Sequence, residues 1–117
     1  MKVLNIILIG LVVLIHIYIV YLEMFIWTSN KTIKAFGLKD KQFALETKIM
    51  AANQGLYNGF VAAGLLWSLI ASKTDVALFF LIFVTIAGIY GAYSTKQIRI
   101  LYIQSVPAIL GIISILL

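Results

Sequence analysis

Glu23 and His16 are the two side chains of this sequence best suited to moving a proton, and both sit in apolar surroundings. A carboxyl taken out of water holds its proton more readily and can then trade it near neutral pH, where imidazole titrates unaided. Further on, Asn53, Gln54, Tyr57 and Asn58 fall within the run Ala52-Asn53-Gln54-Gly55-Leu56-Tyr57-Asn58-Gly59, inside a stretch otherwise fit for lipid. An unpaired polar group in hydrocarbon costs several kcal/mol, so these amides and the phenol are expected to face other helices or a wet cavity.

The elements that must position them are helices. Apolar stretches at about 3–27, 49–71, 76–93 and 100–117 are each near the roughly 20 residues that cross a bilayer as a helix. At ~100° per residue, His16, Glu23 and Trp27 fall within about 40° of one another. Asn53, Tyr57 and Phe60 share one face of the second helix, and Gln54, Asn58 and Val61 share the next. With Trp27, Lys48, Tyr93 and Arg99 marking the ends on one side, Glu23 lies about 6 Å deep. Asn53, Gln54, Gln104 and Ser105 lie about 8–9 Å deep, and Tyr90 and Tyr102 about 5 Å. These form a shallow polar layer; His16, Tyr57 and Asn58, about 14–16 Å in, form a deeper one. The expected site therefore has Glu23 and His16 as proton-handling residues. Asn53, Gln54, Tyr57, Asn58, Trp27, Tyr90, Tyr102 and Gln104 are its expected ligand contacts.

Each has a plainer alternative. Glu23 at the interface can snorkel to water, and His16 can be a neutral donor to a neighbouring helix. The amides can be interhelical glue, and Trp27 an interfacial or packing aromatic.

Composition sets the class. The chain has 117 residues, 63% of them hydrophobic and 11% charged, against about 25% charged in soluble domains. With no cysteine, disulfides and thiolate chemistry are excluded; with a single histidine, no metal site is expected, and no cofactor. The net charge of +5 sits in residues that flank apolar spans, so anionic lipid, not nucleic acid, is the expected partner.

The fold expected is all-α, a single integral membrane domain over 1–117 arranged as an up-down-up-down four-helix bundle, because the later connections are short. A short amphipathic connector, 28–48, joins the first two spans. Ser29 or Asn30 is expected to cap its first helix, Gly37 to end it, and Asp40 to cap the next, turning Phe43 and Thr47 inward. Asp75 is expected to cap the third span, and Pro107 to kink the fourth. Gly55 and Gly59 are expected to let another helix pack closely. Lys31, Lys34, Lys39, Lys41, Lys48, Lys96 and Arg99 lie on one side of the membrane, and Lys2 and Lys73 on the other. That asymmetry puts the connector in the cytoplasm and both termini outside the cell membrane.

The segments Tyr18-Ile-Val-Tyr21-Leu-Glu23-Met24-Phe25-Ile-Trp27-Thr28, Phe36-Gly37-Leu38 and Ala51-Ala52-Asn53-Gln54-Gly55-Leu56-Tyr57-Asn58-Gly59-Phe60 resemble the DUF1304 family of small membrane proteins. The resemblance covers essentially the whole chain. It implies four membrane helices and supplies no activity. A looser likeness, of architecture alone, is to sterol-isomerase-type bundles.

Three functions fit these observations. One is a membrane-embedded polar pocket that binds, and could transform, a small amphiphilic ligand. Another is a proton-coupled exporter resembling the small multidrug transporters, which work as dimers, although Glu23 lies nearer a helix end than that family's acid. The last is a structural or interaction protein whose polar layers specify packing. A homo-oligomer is compatible with each.

Overall fold

The structure, a computed structural model, describes residues 1–117 and is built of helices without strands. Helix α1 spans Val3–Val20 and closes in a π-helical turn at Tyr21–Phe25. Two short helices follow, α2 at Asn30–Phe36 and α3 at Lys41–Glu46. Two long ones come next, α4 at Lys48–Ile70 and α5 at Thr74–Thr95. The chain ends in a short α6 at Ile98–Ile100, a second π turn at Leu101–Ser105, and α7 at Val106–Leu116.

Three helical stretches are long and apolar enough to cross a membrane: Val3–Phe25, Thr74–Thr95 and Ile98–Leu116. Helix α4 is as long but is not among them. Asn53, Gln54, Tyr57 and Asn58 lower its apolarity, so the second expected span meets the length requirement alone.

Local chemistry sets the short helices. Ser29 Oγ accepts from the backbone N–H of Thr32 at 3.2 Å, and Gly37 ends α2 at φ 63°. Asp40 Oδ1 accepts from Phe43 N–H at 2.8 Å, capping α3. These follow the sequence expectation. Asp75 does not: α5 already starts at Thr74, and the Asp75 carboxylate accepts from the next residue, Val76, inside the first turn. There it still opposes the positive end of the helix dipole. Pro107 lies in the first turn of α7, just past the second π turn. Its missing N–H and its ring disfavour a regular α turn through Ile103, so the distortion falls on the residues before it.

Two compact units divide the chain: residues 16–60, and residues 1–15 with 61–117. In the second of these, Ile9, Val12, Val13, Leu65, Leu81 and Val84 are buried with Ala77 and Ala108. Small residues bring its helices together. A Cβ on Gly88 would run into Ser105 Oγ, and Ser105 in turn donates to the carbonyl of Thr85 at 2.9 Å. Near the termini, Asn5 Nδ2 donates to Ser114 Oγ at 2.9 Å. Outward-facing positions are apolar as well, Ile86 at 57% exposure and Tyr93 at 81% among them, as a lipid-facing surface would be.

In residues 16–60 the core is Trp27, Ala44 and Ala51, with Ile33, Phe36 and Leu38 packed against them. Ala44 takes the inward place expected of Phe43, which is exposed.

Candidate functional site

The site lies within residues 16–60 and joins the end of the first helix to α4. Glu23 stands at the centre of the π turn Tyr21–Phe25 and is 1% exposed. Gly55 makes its burial possible. A Cβ there would lie 2.5 Å from Met24 Cγ and 3.1 Å from Glu23 Cβ, so only a residue without a side chain lets the two helices approach this closely. The neighbouring Gly59 meets only Val20 Cγ2, at an ordinary 3.8 Å. Of the two glycines expected to form a packing patch, Gly55 is thus the one in close contact, and its partner is the first helix.

With the backbones close, both carboxylate oxygens of Glu23 meet amides of α4. Gln54 Nε2 donates to Oε2 at 2.5 Å, and Asn58 Nδ2 donates to Oε1 at 2.6 Å. The two donors are one helical turn apart and bracket the carboxylate from one face. Neither is charged. Gln54 is exposed on the surface of the unit and Asn58 is half-buried, so the amides form a cover over a buried acid.

The other expected contacts are placed differently. Asn53 is exposed, and its amide donates to the Ile49 carbonyl of its own helix at 2.9 Å. Tyr57 is 68% exposed and packs edge-on to Phe60, with centroids 5.9 Å apart. Of the two polar faces on α4, the Gln54–Asn58 face meets Glu23 and the Asn53–Tyr57–Phe60 face points outward. His16, Glu23 and Trp27, expected on one stripe, are all buried, at 2%, 1% and 9% exposure.

Trp27 is tied into the fold. Its indole N–H donates to Thr47 Oγ1 at 3.0 Å, and its ring meets Phe36 edge-on at 5.0 Å. Thr47 sits at the break between α3 and α4, and its own hydroxyl donates a hydrogen bond to the Phe43 carbonyl at 2.8 Å. This anchor was readable only in part: the sequence places Thr47 inward without naming a partner. Tyr90 and Tyr102, 68% and 62% exposed, and Gln104, beside Gly88, belong to the other unit.

At the edge of residues 16–60 an unforeseen pair appears. The Lys31 ammonium lies 5.1 Å from the centroid of the Tyr18 ring, and a hydrogen bond to the Tyr18 phenol holds it above its ordinary pKa. Being exposed, the pair adds little to stability.

Across the chain no buried side-chain nitrogen or oxygen is left without a hydrogen-bond partner. No three His, Cys, Asp or Glu side chains stand together as metal ligands would.

The profile of a family described as "Protein of unknown function (DUF1304)" matches residues 10–116. An "Uncharacterized protein YpaA" of Lactococcus lactis subsp. lactis (strain IL1403) is 32% identical over 117 residues, covering 97% of this chain and 98% of the relative. No solved structure matches.

Proposed function

The chain belongs to the DUF1304 family, whose description gives no activity, and from its own geometry we propose that it is an integral membrane protein built around a polar site for a small amphiphilic ligand. The observation that carries this reading is the Glu23 carboxylate, buried yet covered by the exposed amide of Gln54. An acid in a membrane helix costs stability unless it is used, and such residues commonly line functional cavities. Glu23 is the group that recognises the ligand; Asn58 holds its carboxylate in place, and Gln54 covers it. Tyr57 and Asn53, exposed on the neighbouring face, are further contacts. His16 is a second proton-handling group.

In this reading the chain is one domain in the cell membrane. Helix α4 crosses with the three more apolar helices, its polar residues turned to protein or ligand. The lysines of the connector meet anionic lipid at the cytoplasmic face, and both termini lie outside.

Native mass spectrometry of the protein released from nanodiscs of its own membrane lipids tests the site. The wild type is expected to carry a bound small amphiphile that Glu23→Gln loses. An identical set of bound masses in both overturns the reading.

A second reading has its own support. Complete pairing of the buried polar atoms is what a purely structural polar layer requires. In that case Glu23, Gln54 and Asn58 specify how the helices pack, and the bound masses would not differ.

A further inference from the structure

Both oxygens of Glu23 accept amide N–H bonds, one from Gln54 and one from Asn58. Two donors on two oxygens suit the ionised acid, which accepts at both, better than the neutral acid, which keeps less acceptor capacity. A carboxylate offers about four acceptor positions, so two uncharged amides satisfy roughly half of them. An ionised group out of water also calls for an opposite charge, which neither amide supplies. A metal ion is a poor fit, since no cluster of three His, Cys, Asp or Glu residues is present.

The two amides differ in freedom. Asn58 is short and half-buried, whereas Gln54 is exposed and longer by one carbon, so it can swing away without moving α4. Its departure would uncover Oε2 while Asn58 continued to hold Oε1. The arrangement is that of a buried anion under an exchangeable neutral cover.

We propose that this site takes the ammonium head of a cationic amphiphile, which displaces the Gln54 amide from Glu23. The proposal rests on the ligand-site reading above and names its ligand class. A primary ammonium carries three N–H donors and no acceptor, so it replaces the lost bond from Gln54 and adds charge-assisted ones. An alkyl tail matches the exposed apolar side chains of the same unit, Phe25 and Leu56 among them. An anionic head would meet Glu23 as a like charge and is excluded by it.

Equilibrium dialysis of the full-length protein in zwitterionic-lipid nanodiscs tests this, with protein-free nanodiscs as baseline. The probes are dodecylammonium, dodecanol and dodecyl sulfate. The wild type is expected to bind dodecylammonium at least about tenfold more tightly than dodecanol, with no protein-dependent binding of dodecyl sulfate. Glu23→Gln is expected to erase the preference for the ammonium. Gln54→Ala, which leaves the buried acid in place and serves should Glu23→Gln fail to fold, is expected to bind dodecylammonium as tightly as the wild type or more so. If dodecanol binds as well as dodecylammonium and its binding depends on Glu23, the ligand site stands and its cationic identity falls. If no probe depends on Glu23, both fall. If Gln54→Ala abolishes binding, Gln54 is a ligand contact and the exchangeable cover is overturned.

Discussion

Asn58 Nδ2 donates to Glu23 Oε1 at 2.6 Å, joining residues 35 apart in sequence through an acid that is 1% exposed. The bond ties α4 to the end of the first helix where Gly55 already brings them together. Replacing Asn58 with Leu leaves Oε1 buried without its donor, which costs about 1–3 kcal/mol. A clear fall in thermal unfolding temperature in detergent is expected. Asn53→Leu, whose amide bonds only to its own helix, should stay within about 0.5 kcal/mol of the wild type. Equal effects of the two substitutions would contradict the placement of the two faces.

The glycines of α4 should separate in the same way. Alanine at 55 must push Met24 aside and crowd Glu23 Cβ, which lies 3.1 Å from the added atom. Overpacking of this kind costs about 1–3 kcal/mol, partly offset by the ~1 kcal/mol that alanine gains over glycine in a helix. Alanine at 59 meets only an ordinary contact with Val20, so the propensity gain stands and Gly59→Ala is expected to be neutral or stabilising. Thermal melts of the two variants side by side would show a difference in sign or at least in size.

Trp27 reports on the connector. Thr47→Val keeps the shape of the side chain but removes the acceptor of the indole N–H. Leaving that buried donor unpaired costs about 1–3 kcal/mol. In a Trp67→Phe background, which leaves Trp27 as the sole tryptophan, the emission of Trp27 is expected to shift on this substitution. An unchanged spectrum together with unchanged stability would mean the bond contributes nothing.

Orientation can be read directly because the chain has no cysteine. Lys39→Cys lies between Gly37, which ends α2, and Asp40, which caps α3, so it disturbs neither cap. A membrane-impermeant maleimide is expected to label it in inside-out vesicles and not in intact cells, as the lysine and arginine asymmetry requires. Labelling from outside intact cells would reverse the topology.

Gly88→Ala is expected to be the most damaging of the alanine substitutions. The added carbon would strike Ser105 Oγ and lie 2.9 Å from the Ser105 backbone nitrogen, which cannot turn aside as a side chain can. The loss should reach the upper part of the roughly 1–3 kcal/mol range for overpacking. A melt close to that of Gly59→Ala would refute the close contact.

The all-helical class, the apolar stretches and the caps of α2 and α3 are legible in the sequence because they are short-range. Hydropathy over a turn or two, an oxygen three residues from an orphan N–H, and a glycine free to adopt φ 63° depend on neighbours along the chain. Glu23 and the amides of α4 stand out in the sequence for the same reason: polar residues are conspicuous among apolar ones. Which amides meet the acid was decided only by tertiary structure. The Asn53–Tyr57 and Gln54–Asn58 faces lie about 100° apart on one helix and carry similar chemistry, so periodicity could not choose between them. The close approach at Gly55 turns Gln54 and Asn58 onto Glu23 and leaves Asn53 and Tyr57 outside. The π turn at Tyr21–Phe25, which sets Glu23 at the contact with α4, is likewise absent from the periodicity. Both outcomes depend on how two segments 31 residues apart fit against each other, and steric fit of that range leaves no periodic mark on either segment.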